Sequence, residues 1–342
     1  MIFDEIQSNP RALTSLKYFN ELAGEYHIIA SGSLLWIVLH NETSFPVGKI
    51  EFLHLEPMDF EEFLIANGEE KLIQSCKKNQ NQIFGEKLYE YMKQYLFVWW
   101  MPEVVQSWIT EHDVEKIDLL QWNILQSYRY DFSRHTNKQM TKRLTQIWEA
   151  IPLQFAKEND KFIRWIIRQW ARAKDYEIAL QWLVDSWLVR KVNRVKRGDK
   201  LPLLAYQEDS IFKLYFLDVW LLRKLADIPS NVLMNKSAIF NEYNWLFAEQ
   251  FILQNMSKYK IFYRTSNANA EVDFITQIQE YIIPIEVKSG ENTKSKSLKI
   301  YREKYNPKIS VRFSLLDFIE QDWLVNIPLY LIFCFDELIN KF

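Results

Sequence analysis

Ala270-Glu271-Val272-Asp273-Phe274-Ile275, followed by Ile283-Pro284-Ile285-Glu286-Val287-Lys288-Ser289-Gly290, decides how the C-terminal part of this chain folds. Polar and apolar residues alternate through both runs, the period of two that a strand imposes, and a short polar connection at Gln277 to Glu280 separates them. In an antiparallel pair, Asp273 and the side of the second strand that carries Glu286 and Lys288 can face one site. Glu286 and Lys288 stand two apart and so share a face. Two carboxylates and a lysine on adjoining strands are what metal-dependent phosphodiester cleavage requires. The acids bind Mg²⁺, and the lysine orients water or offsets the developing charge. Glu-x-Lys alone is common. The competing reading is a surface ion pair between Glu286 and Lys288, or a core kept only for folding.

At the other end, Met1-Ile2-Phe3-Asp4-Glu5-Ile6-Gln7 reads as the end of a buried strand that delivers two carboxylates. Asn9 can cap a helix with Pro10 at its first position, and Leu13, Leu16 and Phe19 or Asn20 follow at helical spacing. Tyr26 to Ala30 then reads as a second short strand ending at Ser31-Gly32-Ser33. Strand, helix, strand is the pattern of a parallel sheet. An apolar run closing on Asp-Glu is what a nucleotide hydrolase sets beside its phosphate site, the first acid helping to hold Mg²⁺ and the second polarising water. An ordinary pair of strand-end acids is the bland alternative.

Between these ends, 70–157 reads as helical, with LIQSCKK, QIFGEKLYEYMKQYLFV, WNILQSYRYDF and QMTKRLTQIWEAI as its segments. KFIRWIIRQWARA and YEIALQWLVDSW read as two amphipathic helices broken near Lys174-Asp175. Leu188 to Val195 alternates like a strand, Lys196 to Lys200 is a turn, and LPLLAY starts another strand. That order is the order of a winged helix-turn-helix. Arg164, Arg168, Arg172, Lys174, Arg190, Lys191, Arg194, Lys196 and Arg197 gather there, so DNA contact stands beside the plainer role of a lid or linker.

Asp4-Glu5-Ile6-Gln7, Ser31-Gly32-Ser33-Leu34-Leu35, Phe45-Pro46-Val47-Gly48-Lys49, Leu55 to Phe63 and Leu201 to Asp218 together resemble bacterial AAA-type ATPases that carry a C-terminal domain of unknown function. The likeness spans nearly the whole chain. It implies Asp4 and Glu5 as the Walker B pair, with Asp4 on Mg²⁺ and Glu5 catalytic, and Ser31 and Ser33 at the nucleotide on the sensor strand. The family usually has Gly-Arg where Gly48-Lys49 stands, and lysine cannot reproduce the planar fork of arginine. No GxxxxGK[ST] loop occurs, and in the family that loop precedes the Walker B strand. The expectation is an N-terminally truncated frame from which ATP hydrolysis does not follow. The strand pair at 270–290 is similar to the PD-(D/E)XK nuclease core, whose upstream helix often adds a further Glu. That resemblance implies Asp273, Glu286 and Glu249, in LFAEQFILQNM, as metal ligands beside Lys288. Asn292 to Lys299 adds a basic, hydroxyl-rich helix start that can meet phosphate or simply face water.

Composition sets limits. Hydrophobic residues make up 48% and charged residues 25% of 342, enough for several cores and unlike a disordered chain. The formal net charge of −2 gives no global case for nucleic-acid binding. Cys76 and Cys334 have no ligand spacing and fit a reducing cytoplasm, and the five histidines show no ligand spacing. IPLYLIFCF (327–335) is too short to span a bilayer and reads as a buried strand.

The whole is therefore read as a multi-domain α/β chain. A partial AAA-type lobe with parallel strands occupies 1–65, a helical region 66–157, a winged-helix-like region 158–230 and a restriction-endonuclease-like α/β domain 231–342. The expected cofactors are ATP and Mg²⁺. DNA is a candidate partner through the winged helix or the C-terminal domain, self-association is open, and no membrane contact is expected. Two rival readings are a non-enzymatic DNA- or protein-binding fragment and a Mg²⁺-dependent nuclease working without ATP.

Seven glycines are about 2% of the chain against the ordinary ~7%, while Trp appears thirteen times. Trp36, Trp99, Trp100, Trp170, Trp187, Trp220, Trp245 and Trp323 stand where the family resemblance or turn chemistry asks for Gly. One cause would cover all eight: UGA codons that mean Gly in the source, written as Trp. Genuine drift in a decaying copy is the alternative.

Overall fold

The computed structural model describes residues 1–33, 48–79, 84–98, 101–155, 173–229, 238–265, 271–288 and 295–341. Its first strand, β1 (Ile2–Phe3), pairs in parallel with β2 (Ile29–Ala30), and α1 (Pro10–Leu22) runs between them. Asn9 caps α1 by accepting from the Arg11 amide at 3.0 Å, and Pro10 takes the first turn, where its missing N–H costs nothing. The parallel pairing matches the sequence reading; the burial does not. Ile2 is 76% exposed and Ile29 63% exposed, because among the described residues each two-residue strand has only the other as neighbour.

A helical body follows: α2 (Phe60–Ala66), α3 (Glu70–Asn79), α4 (Gly85–Val98), α5 (Pro102–Glu111), α6 (Val114–His135), α7 (Lys138–Phe155) and α8 (Ala173–Asp185). Asp59-Phe60-Glu61-Glu62 starts α2 with a capping box, Asp59 accepting from the Glu62 amide and Glu62 from the Asp59 amide. Phe60, Phe63 and Leu64 on this helix are wholly buried. Lys174-Asp175, expected as a break, lies inside α8, and the helix reading at 161–172 falls outside the described residues.

One eight-stranded sheet organises the rest, in the order β4-β3-β5-β6-β7-β8-β10-β9. The strands are β3 (Val189–Val195), β4 (Gln207–Phe216), β5 (Ile261–Thr265), β6 (Glu271–Ile278), β7 (Tyr281–Val287), β8 (Ser310–Ser314), β9 (Ile319–Glu320) and β10 (Leu324–Pro328). Three helices accompany it: α9 (Val219–Leu225), α10 (Ala238–Asn255) and α11 (Lys296–Tyr305). Here the structure departs from the sequence reading. The strand pair read as a separate wing is hydrogen-bonded into this same sheet, with Asn193 and Arg194 of β3 in parallel register with Phe262 and Tyr263 of β5. The second strand of that pair also starts later. Leu203–Tyr206 is a 3-10 turn, and β4 begins at Gln207. IPLYLIFCF is likewise strand only up to Pro328; Leu329–Cys334 is 3-10 and α12 (Phe335–Ile339) follows. The run is buried as expected, but burial on all sides suits either conformation, so an unbroken apolar run cannot distinguish them.

The larger core lies between the helical body and one side of the sheet, where Gln250 of α10 binds the Phe216 backbone twice, accepting from N–H at 3.1 Å and donating to C=O at 2.7 Å. A smaller cluster of Val195, Phe262, Val272, Ile275, Leu298 and Tyr301 seats α11. The β3–β4 pair is tied by Arg194, whose Nε donates to Glu208 Oε2 at 2.6 Å. That bond holds the Glu208 carboxyl below its usual range, despite partial burial that opposes it. A depressed carboxylate contributes stability above its unfolded pKa and loses it as pH falls through the folded value. Glu208→Gln is therefore expected to be less stable than wild type at neutral pH, with the gap closing as pH falls and the acid limb of the variant shallower. Parallel curves from pH 3 to pH 7 would refute this.

Of the eight suspect tryptophans, Trp36, Trp99, Trp100 and Trp170 lie outside the described residues, and Trp245 is described only as part of the α10 backbone. Trp187 is the revealing one. Its φ is 60°, and it follows α8 as the Trp187 amide donates to Val184 O (3.0 Å) and the Leu188 amide to Leu183 O (3.1 Å). This is a Schellman ending with Trp in the left-handed position that glycine normally fills. The indole is 40% exposed against His54, so little burial offsets the backbone cost. Trp187→Gly is expected to stabilise the protein by ~0.5–1 kcal/mol, read from urea unfolding. A loss of stability would mean that the His54 contact outweighs the strain.

Candidate functional site

Two polar clusters gather the residues singled out by the sequence. At the N-terminus, parallel register sets the ends of β1 and β2 side by side. Ser31 Oγ donates to Asp4 Oδ1 at 2.6 Å and Ser33 Oγ to Glu5 Oε2 at 3.1 Å, while Gln7 Nε2 also reaches Glu5 Oε2. Glu5 itself has φ 49°, a left-handed turn that swings the chain out of the strand immediately after the acids. Asp4, Glu5, Ser31 and Ser33 are thus one exposed cluster of acceptors and hydroxyls. Lys49 is engaged elsewhere: it pairs with Glu21 and holds that carboxyl below its usual range. The described residues of this part offer no cradle of amides and cations for the β- and γ-phosphates of a nucleotide, so no step through ATP is derived from them.

The second cluster is enclosed. The β6–β7 ladder runs from Ile278/Tyr281 to Phe274/Ile285, and beyond it the Asp273 carboxylate replaces the next backbone rung, Oδ2 accepting from the Val287 amide at 2.7 Å. From there β7 continues beside β8, with Glu286 in register with Arg312. Lys288 Nζ lies 3.0 Å from Glu286 Oε1. Burial works against the Lys288 charge, but Glu286 and then Asp273 outweigh it and hold its pKa above the ordinary lysine value. Asp273 keeps some accessible surface as a residue, yet its carboxyl is closely surrounded; burial, then the neighbouring Glu249, pushes it well above the usual range. Lys213, the Val287 amide and Lys288 pull the other way. Glu249, 6% exposed on α10, accepts from the Tyr215 hydroxyl at 2.7 Å and lies 3.9 Å from Lys213 Nζ.

Glu249, Asp273, Glu286 and Lys288, read from one helix and two strands, are therefore brought together. Sequence reading missed Lys213, Tyr215 and Glu271. Lys213 is fully buried and paired with Glu271. One signal was present: in Phe212-Lys213-Leu214-Tyr215-Phe216 a lysine interrupts an apolar strand, with Tyr215 two residues on and so on the same face.

Does a divalent cation suit these residues? Among the described residues no group of three or more His, Cys, Asp and Glu is arranged to hold a metal ion. Mg²⁺ does not demand such a cage, since it keeps several waters and is commonly held by one or two carboxylates plus substrate phosphate. Glu286 is 2% exposed and its Oε2 has no hydrogen-bond partner, a buried acceptor of the kind a cation satisfies. On that ground the donor set of Asp273 and Glu286 fits a hard divalent ion.

Three family models match the chain: an AAA domain at residues 1–64, a domain of unknown function (DUF8612) at 89–232 and a domain of unknown function (DUF4143) at 246–332. No curated protein and no solved structure is significantly similar to it. These matches support an AAA-type ATPase-like protein that carries domains of unknown function. Asp4, Glu5, Ser31 and Ser33 fall in the first match, Lys213 and Tyr215 in the second, and Glu249, Asp273, Glu286 and Lys288 in the third. Among the described residues no helix is long and apolar enough to cross a membrane.

Proposed function

We propose that the C-terminal sheet carries a Mg²⁺-dependent phosphodiester-cleaving site of nuclease type, joined to an N-terminal module in which Asp4 and Glu5 are the Walker B acids. The observation that carries this reading is the pairing of Lys288 with Glu286 beside Asp273, with Glu249 acting on the same groups and Glu286 Oε2 buried and without a hydrogen-bond donor. Asp273 and Glu286 would hold the ion, which supplies Lewis-acid stabilisation of phosphate oxygens. The chain's own groups do the rest. Lys288 keeps its proton beside Glu286 and presents a cation toward a bound phosphate. The Val287 amide fixes Asp273 at the end of the ladder. Glu249 is steadied by the Tyr215 hydroxyl.

DNA or RNA is the substrate class this chemistry serves, and the exposed Lys296, Lys299 and Lys304 on α11 offer phosphate contacts near by. The test is a cleavage assay on DNA and RNA with Mg²⁺ or EDTA. Cleavage that needs Mg²⁺ and is lost in Asp273→Asn supports the site. If neither nucleic acid is cut under any condition while binding weakens with salt, the chain is a binding module and the catalytic reading falls.

A further inference from the structure

Lys213 is the group that neither the matched families nor the proposed chemistry accounts for. A lysine with no exposed surface is rare and needs compensating charge. Here its ammonium pairs with Glu271, stands 3.9 Å from Glu249 Oε2 and sits over the Tyr263 ring at 5.3 Å from the centroid. It also acts on Asp273, whose carboxyl it pulls down against burial. Lys213 therefore occupies the middle of three carboxylates on the α10 side of the sheet, as Lys288 does on the Glu286 side. It comes from β4, inside the 89–232 match, whereas the carboxylates it serves all lie in the 246–332 match.

We infer that Lys213 is a built-in counter-ion for the carboxylate site, lent by the preceding domain, which competes with a divalent cation for Asp273 and so keeps its affinity weak. This rests on the proposed metal site at Asp273 and Glu286. A fixed positive charge near a bound cation repels it, and the repulsion is strong where water is scarce. Before a metal arrives, Lys213 lets acids lie close together without unpaired buried charge. Tyr215, on the same face of β4, holds Glu249 by its hydroxyl and is a second positioning residue from the same strand.

Isothermal titration of the full chain with Mn²⁺ alone tests this without reference to turnover. Lys213→Met should tighten binding about tenfold or more, while Lys213→Arg, which keeps the charge, should leave it unchanged within about twofold. Because Lys213→Met takes the ammonium away from Glu271, the same substitution is also made in Glu271→Gln. The double variant should bind Mn²⁺ more tightly than Glu271→Gln alone. Damage to the fold loosens binding, so tightening cannot arise that way. Binding that requires Glu286 yet is no tighter without Lys213 in either background overturns the counter-ion role alone. Absence of Mn²⁺ binding in every form, or binding untouched by Glu286→Gln, overturns the metal site and the counter-ion with it.

Discussion

Glu286→Gln is expected to reduce Mg²⁺-dependent cleavage by roughly 10²–10³-fold in kcat/KM, the scale seen when one preorganised electrostatic group is removed from a reaction centre. The substitution keeps shape and volume and deletes one charge. Two cations feel that loss at once: Lys288, 3.0 Å from Glu286 Oε1, and Arg312, whose side chain Glu286 helps to keep charged against burial. Arg312 has other support, donating from Nε to Asn326 at 2.7 Å, so the sheet should stay folded. Lys288→Met separates the roles. It should slow cleavage while leaving Mn²⁺ affinity no weaker, because it removes a cation and no ligand. Full activity in Glu286→Gln would sink the assignment of this site, whatever Lys213 does.

Trp220→Gly is expected to cost roughly 4 kcal/mol, from a large cavity added to glycine's penalty within a helix. Trp220 lies in α9 and has no exposed surface, with Val219, Leu221 and Leu222 buried around the same turn. Its own amide is held by the Asp218 cap at 3.1 Å, so the backbone there is ordinary helix. The prediction has the opposite sign to that for Trp187→Gly, although the sequence put both residues in one class. Urea unfolding of the two single variants decides the matter. Trp323 belongs with neither: it is half-buried beneath the Arg302 guanidinium, 4.9 Å from its ring centroid, in ordinary backbone. If Trp220→Gly proves neutral or stabilising, position 220 is built for glycine and the single-cause account of the eight tryptophans gains its strongest support. A heavy loss confines that account to positions such as 187, where a left-handed turn demands it.

The β6–β7 pair was legible because the period-two alternation and the short polar turn are local. Alternation alone assigns Asp273, Glu286 and Lys288 to faces, and the connection at Gln279-Glu280 is too short to allow anything but an antiparallel return. The helical body was legible for the same reason, as was the Asn9-Pro10 start of α1. The Asp59–Glu62 box likewise has a spacing that sequence carries, an acid three residues after an N-cap Asp. Elsewhere a segment's surroundings, not its own period, decide its conformation. An apolar run at 327–335 and a Leu-Pro-Leu-Leu run at 201–204 carry no period that separates strand from 3-10 turn.

By itself, then, the sequence determined which residues could do chemistry: acids closing an apolar strand at 4–5, and Glu286 and Lys288 sharing one face of a strand. These follow from repeat distances of a few residues, which chain geometry enforces without help from the rest of the fold. Only the tertiary structure decided what surrounds them. Strand order is set by which edges and faces find partners, so nothing local could say that β3 and β4 would join the sheet of β5 to β10. Nor could it say that Lys213 would come to rest among Glu249, Glu271 and Asp273. A buried charge is stable only where opposite charge has been assembled around it, and that assembly is a property of the whole packed chain.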